Sequence, residues 1–151
     1  NRIKDFKETI YGYDEDWNEL PATEIHHGET HIAFSPDVIA NSKLGYTFKG
    51  WRAELQTQYV GEQYMSNADV AAHKLDAYCV SNLDFSYTFA PKRYAKSLCI
   101  GVTVYNVFNE KYENNGWASS EYHGTPSNRV NYTGYAAQAG TNFLAHLSVK
   151  F

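Results

Sequence analysis

No window of about 18 consecutive apolar residues occurs anywhere in this chain, which excludes a transmembrane helix. Lys and Arg number 13 against 17 Asp and Glu, for a formal net charge of -4. The pI is about 5.8. No basic excess is present to hold nucleic acid. Cysteine is scarce, with only Cys79 and Cys99. No secretory leader opens the chain, because Asn1-Arg2-Ile3-Lys4-Asp5 is polar and runs straight into a strand-like segment. Of the two explanations, a removed leader and an internal piece of something longer, the second is the expectation. Asp14-Glu15-Asp16 lacks the glycine and the spacing of a calcium loop.

Aromatic side chains are plentiful, at 16% of residues with 13 Tyr and 3 Trp. Mean hydropathy is -0.54, a value that ordinarily indicates a water-soluble protein. That inference fails for the wall of a β-barrel, where half of each strand faces water and cancels the lipid-facing half. The last segment, Ala139 to Phe151, carries such a pattern. Ala139, Thr141, Phe143, Ala145, Leu147, Val149 and Phe151 fall on one side. Gly140, Asn142, His146, Ser148 and Lys150 fall on the other, with Leu144 the exception. Side chains of a strand change face at every residue, so this is a two-faced strand. Its length exceeds the usual 5–6 residues or so and suits a tilted bilayer crossing of about 9–11.

Four further segments alternate in the same way. In Val38 to Phe48, the even positions are small or apolar. In Trp51 to Met65, Trp51, Ala53, Leu55, Thr57 and Tyr59 oppose Arg52, Glu54, Gln56, Gln58 and Glu62. In Ala77 to Phe89, Leu83, Phe85, Tyr87 and Phe89 oppose Asn82, Asp84, Ser86 and Thr88. In Leu98 to Phe108, Ile100, Val102 and Val104 oppose Gly101, Thr103 and Tyr105. A sixth, Asn1 to Tyr11, is blurred by Lys4, Asp5, Lys7 and Glu8.

Short and long connections take turns. Lys49-Gly50 suits a two-residue hairpin, since glycine accepts positive φ at little cost. The turn predicts Phe48 opposite Trp51, Tyr46 opposite Ala53 and Leu44 opposite Leu55, apolar against apolar each time. A short turn at Pro91-Lys92-Arg93 predicts Phe89 opposite Leu98, Tyr87 opposite Ile100, Phe85 opposite Val102 and Leu83 opposite Val104. Gly12 to Asp37, Ser66 to Asp76 and Asn109 to Gln138 are expected to be loops. Short turns on one rim and long loops on the other are the habit of outer-membrane barrels. The periplasmic rim then holds Phe151, Lys49-Gly50 and Pro91, and the long loops face outside. Tyr46, Phe48, Trp51, Tyr87, Phe89 and Phe151 would ring the periplasmic interface, with Tyr59 and Tyr64 toward the other rim. A water-soluble sandwich core could use the same rings but would leave the strand lengths unexplained. The same register sets Cys79 opposite Phe108 and Cys99 opposite Thr88, on opposite faces and roughly 30 Å apart. A disulfide needs Cα atoms within about 7 Å, so none is expected.

Val104-Tyr105-Asn106-Val107-Phe108-Asn109-Glu110-Lys111-Tyr112 resembles the NLFNKKY stretch near the end of TonB-dependent receptors. Ala137-Gln138-Ala139-Gly140-Thr141-Asn142-Phe143 resembles their PQAGRNF segment, with Ala137 for Pro and Thr141 for Arg. Ile32-Ala33-Phe34-Ser35-Pro36 resembles the FSP that precedes another barrel strand, and Leu75-Asp76-Ala77-Tyr78 fits the same pattern. The resemblance spans residues 1–151 and is nearest to receptors of Bacteroidota-like bacteria. It implies an all-β fold: about six long antiparallel meander strands forming the C-terminal part of a barrel of about 22 strands, with a plugged lumen. The family's plug domain and TonB box have no match here. The implied function is import of a scarce solute, such as an iron–siderophore complex, haem or cobalamin, across the bacterial outer membrane. The implied partners are outer-membrane lipid, the TonB complex through the absent N-terminal region, and the solute itself. The outer-membrane assembly machinery would read Phe151, supported by Phe143, Leu147 and Val149. No cofactor and no enzymatic activity are expected.

Candidate chemistry concentrates in two places. His26, His27 and His31 lie near Glu24 and Glu29, and imidazoles with carboxylates can bind transition metals. A mobile loop supplies little of the fixed geometry such a site needs, so a solvated loop is the expectation. In Asn109 to Gln138, Trp117, Tyr122, Tyr132 and Tyr135 offer rings, and Arg129 and His123 offer charge. Aromatic and Arg residues dominate recognition hot spots. An anionic ferric chelate would suit Arg129 among tyrosines. The candidate ligand-binding residues are therefore Trp117, Tyr122, His123, Arg129 and Tyr132. Ser119, Ser120 and His123 could be drawn as nucleophile and base of a barrel hydrolase, but no third group orients the base. A passive porin-like channel remains the alternative to a receptor.

Overall fold

The computed structural model describes residues 1–91 and 95–151. Among them are eleven strands: β1 (Arg2–Tyr13), β2 (Glu19–His31), β3 (Ile39–Phe48), β4 (Trp51–Val60), β5 (Gln63–Tyr64), β6 (Lys74–Leu75), β7 (Tyr78–Phe89), β8 (Ser97–Tyr105), β9 (Glu113–His123), β10 (Arg129–Ala137) and β11 (Asn142–Lys150). The one helical element among the described residues is a 3-10 turn, Ala71–His73. The chain divides into two compact units, the first made of Asn1–Asp37, Gly61–Ala77 and Tyr112–Ala137, and the second of Val38–Val60, Tyr78–Lys111 and Gln138–Phe151.

The second unit is a five-stranded antiparallel meander, β3-β4-β7-β8-β11. Its registers are those the turns dictate: Phe48 faces Trp51, Tyr46 faces Ala53 and Leu44 faces Leu55. Phe89 faces Leu98, Tyr87 faces Ile100, Phe85 faces Val102 and Leu83 faces Val104. Lys49 and Gly50 both have positive φ, 47° and 89°, as the twist of a two-residue hairpin requires. A Cβ on Gly50 would stand 2.4 Å from the Thr88 carbonyl oxygen, so the residue is glycine for space as well as for φ. The sheet is open, with β3 and β11 at its edges. Pro91-Lys92-Arg93, expected as the second short turn, reaches outside the described residues. Cys99 faces Thr88 as expected, Cys79 faces Tyr59, and both thiols are free. Phe108 does not oppose Cys79, because β8 ends at Tyr105.

Large apolar side chains of this sheet stand exposed while some polar ones are buried. Leu44, Leu147 and Phe143 are 71%, 65% and 76% exposed, whereas Glu54 and Ser86 are 7% exposed. The few polar groups withdrawn from water on the polar face find partners, as such groups must. Glu54 accepts from Lys43 at 2.8 Å and Arg52 at 2.7 Å, and from the Gln56 amide at 2.6 Å. The Thr103 hydroxyl donates to Asp84 at 2.8 Å, while on the opposite, apolar face Thr57 and Ser81 satisfy each other through a hydroxyl bond of 2.8 Å. On the apolar face, Trp51 stacks on Phe85 and packs against Tyr87, with centroids 5.2 and 4.4 Å apart.

Two asparagines join β8 to β11. Asn106 and Asn109 both hold positive φ, 50° and 54°, which asparagine tolerates better than other non-glycine residues. That reversal ends β8. The buried Asn106 side chain donates to the Glu110 and Ala139 carbonyls and accepts from the Glu110 amide. The Asn109 side chain accepts from the Thr141 amide, and the Thr141 hydroxyl donates to the Asn106 carbonyl.

The first unit corrects the sequence reading in three places. Gly12 to Asp37 and Asn109 to Gln138, expected as loops, contain β2, β9 and β10, which join β1 in a four-stranded sheet ordered β10-β9-β1-β2. Asn1 to Tyr11, expected as a sixth meander strand, belongs to this sheet instead, pairing antiparallel with β2 and parallel with β9. The strand expected over Trp51 to Met65 stops at Val60, and Gln63–Tyr64 pairs separately with Lys74–Leu75. These strands carry polar residues on both faces, so their sequences lack the apolar alternation that marks the second unit. Ile10, Met65, Ala68, Leu75 and Tyr122 form the small buried apolar set of this unit. The 61–77 segment is tied to the end of β2 by Asp69, which accepts from the His31 amide at 2.9 Å and meets its ring at 2.8 Å. Asn67 accepts from the Ala33 amide at 2.6 Å.

Candidate functional site

The two faces of the β1-β9-β10 region differ in chemistry. Strand pairing places Tyr122 opposite Arg129 and Ser120 opposite Asn131 on one face. It places Glu121 opposite Val130, Ser119 opposite Tyr132 and Trp117 opposite Gly134 on the other. The parallel pairing with β1 adds Gly12 beside Tyr122 to the first face, and Tyr11 beside Glu121 and Tyr13 beside His123 to the second. Paired residues share a face, so the five expected ligand residues are divided. Tyr122 and Arg129 are on the first face; Trp117, His123 and Tyr132 are on the second.

The first face is internal and polar. Arg129 grips Glu8 with both guanidinium nitrogens at 2.9 Å, and it also donates to Ser120 and Asn131. His27 meets the same carboxylate at 2.8 Å. Burial raises the Glu8 pKa, but the hydrogen bonds and charges of Arg129 and then His27 outweigh it and leave the carboxyl below its usual value. His73 is 1% exposed. Its Nδ1 meets Ser66 at 2.8 Å and its Nε2 lies 3.4 Å from Ser120. Burial, then the Arg129 charge, hold His73 below the ordinary imidazole value. Tyr122 is buried and its hydroxyl donates to the Pro21 carbonyl. Its ring fills the space over Gly12, where a Cβ would lie 2.0 Å from the ring. Arg129 is thus already neutralised by Glu8, and Tyr122 serves the packing of the sheet.

The second face is open. Trp117 is exposed, its indole lying over Gly134. Glu121 Oε1 accepts from the Tyr132 hydroxyl at 2.8 Å and meets His123 Nε2 at 2.9 Å. That bond to Glu121 is the leading cause that raises the Tyr132 pKa. Trp17 stands edge-on to His123 with centroids 5.4 Å apart, and 5.9 Å from Tyr13. It is carried there by the Asp14–Asn18 turn, in which Asp14 Oδ1 accepts from the amides of Asp16 and Asn18. The Asn18 side chain, followed by those backbone bonds, lowers the Asp14 pKa. Sequence reasoning missed Tyr11, Trp17 and Glu121. Tyr11 meets Glu121 through the parallel β1–β9 pairing and Trp17 meets His123 across more than a hundred residues, links that leave no local trace in the chain.

The histidine group is dispersed: His26 meets Glu24, His27 meets Glu8 and His31 meets Asp69. Among the described residues no cluster of three or more His, Cys, Asp or Glu is arranged to hold a metal ion. Ser119 and His123 share a face but are four residues apart on one strand, about 13 Å at ~3.3 Å per residue, too far for a nucleophile and its base. In the second unit, Phe143, Leu147 and Val149 of β11 face Val104, Ile100 and Leu98, with exposed side chains. Phe151 follows β11 and is also exposed. No protein-family model, curated protein or solved structure matches this chain.

Proposed function

We propose that this chain is the C-terminal barrel segment of a TonB-dependent receptor of the bacterial outer membrane, with the five-stranded sheet of the second unit in the bilayer. One observation carries the reading. Five long strands in sequential antiparallel order present one apolar face, its large side chains half-exposed to exposed, and one hydrogen-bonded polar face. An apolar patch of that extent suits lipid better than water, and the alternation is that of a barrel wall. The receptor's task is import of a scarce solute, the siderophore complexes, haem and cobalamin being the classes the family resemblance suggests. Outer loops and plug would capture the solute. Plug rearrangement, driven by the TonB complex, would release it inward. Phe151, with Phe143, Leu147 and Val149, would be read by the assembly machinery. A passive porin-like channel uses the same wall, and a plug domain encoded upstream of Asn1 distinguishes the receptor from it.

The test is insertion. The chain is diluted from urea into phosphatidylcholine vesicles and into buffer, then floated on a density gradient. Flotation with the vesicles is expected, together with quenching of Trp51 by brominated acyl chains. Leu147→Lys is expected to reduce insertion, by about 2–4 kcal/mol if the site lies near the midplane, while Ser148→Lys on the opposite face is expected to leave it nearly unchanged. A monomer that stays in the aqueous phase and ignores the vesicles would overturn the membrane reading.

A further inference from the structure

The open face of the first unit is a surface of unspent aromatic area. Tyr11, Trp17 and Trp117 are 63%, 67% and 59% exposed, although rings of this size are ordinarily far more buried. Tyr132 joins them, and all are set on or against the face whose carboxylate is Glu121. Trp17 holds a positive φ of 63°, a strained conformation for a bulky residue, and strain of this kind gathers at functional positions. The turn that imposes it delivers the indole to His123.

Charge narrows the ligand. Within the first unit stand fourteen Asp and Glu against five Lys and Arg, nine more acidic groups than basic ones. The second unit has the opposite balance, three against eight. A field of this sign attracts cations and repels polyanions. Arg129, the guanidinium expected to hold an anion, is on the other face and bound to Glu8, and His123 on this face is met by Glu121. Indole and phenol faces attract organic cations within about 6 Å of the ring. We propose that Tyr11, Trp17 and Tyr132, which border Glu121 and its partner His123, capture an organic cation, meaning a solute that carries a protonated or quaternary amine beside apolar surface. This names the solute class of the receptor proposed above and rests on that reading.

The full chain carrying Trp51→Phe, so that Trp17 and Trp117 are the fluorophores, is titrated in nonionic polyoxyethylene detergent with benzyltrimethylammonium. Benzylsulfonate and cellobiose serve as anionic and neutral comparators. Saturable quenching by the cation is expected, with little from either comparator. Glu121→Gln is expected to weaken binding about tenfold, a difference of about 1.4 kcal/mol. Trp17→Gly relieves the backbone while deleting the ring, so it should weaken binding with the unfolding midpoint unchanged or raised. Binding of benzylsulfonate or cellobiose as tightly as the cation would overturn the proposal, as would parental affinity in both variants. Vesicle flotation on the same preparation separates the two readings. Insertion without cation binding rejects the ligand class alone; cation binding without insertion rejects the receptor and with it the solute's role as cargo.

Discussion

Arg129 shows how an attractive residue in a sequence can be claimed by the fold. Its bidentate pairing with Glu8 bridges β10 to β1, and the two side chains are 19% and 16% exposed. A charge this far from water is costly once its partner is removed. Arg129→Met is therefore expected to destabilise the first unit by about 2 kcal/mol. Pairing it with Glu8→Gln should recover part of the loss, because the second change removes the stranded charge. Urea unfolding monitored by Trp17 and Trp117 in the Trp51→Phe background measures both. An additive pair would show that the two groups do not stabilise each other. The residues that carried information in the sequence were those whose role is set by immediate neighbours, such as Lys49-Gly50. Arg129 and Tyr122 took their roles from positions 8 and 21, which no local pattern connects to them.

At the scale of elements, the meander was legible almost residue for residue. β3, β4, β7, β8 and β11 each have an apolar face and a polar one, and a slip of one position would exchange them. β2, β9 and β10 gave no comparable signal. Asn114-Asn115-Gly116 reads as a turn, yet it lies within β9, beside a register shift between Ala136 and Ala137. Asn106 and Asn109 were noticed only as part of a resemblance, whereas their geometry shows what they do. They reverse the chain after β8 and hold the start of β11 in register. Asn106→Gly keeps the positive φ but deletes three side-chain hydrogen bonds, and should cost about 2 kcal/mol. Asn106→Ala adds backbone strain and should cost about 1 kcal/mol more. Amide exchange of β11 reads both, and equal protection in all three proteins would show that the asparagine is dispensable.

The first unit, taken whole, is built to prefer neutral pH. His73 has its pKa lowered in the fold, so its contribution is intact above the ordinary 6.5 and is lost as pH falls through the lower folded value. Glu8 is likewise lowered, so a second loss begins below its ordinary 4.5. The unfolding midpoint of this unit is expected to fall in two stages on acidification, the first of them absent in His73→Gln. A midpoint flat from pH 7 to pH 5 in the parent would contradict the role given to His73.

The parallel ladder sets the order of assembly. Residues 11–13 lie against residues 121–123, so the sheet is complete only when segments some 110 residues apart have met. Bringing distant segments together costs entropy before any contact repays it, and topologies dominated by such pairings fold slowly. The β1–β2 hairpin therefore waits, half-assembled, for β9, about a hundred residues further along the chain, and during that interval it depends on whatever shelters an unfinished sheet edge.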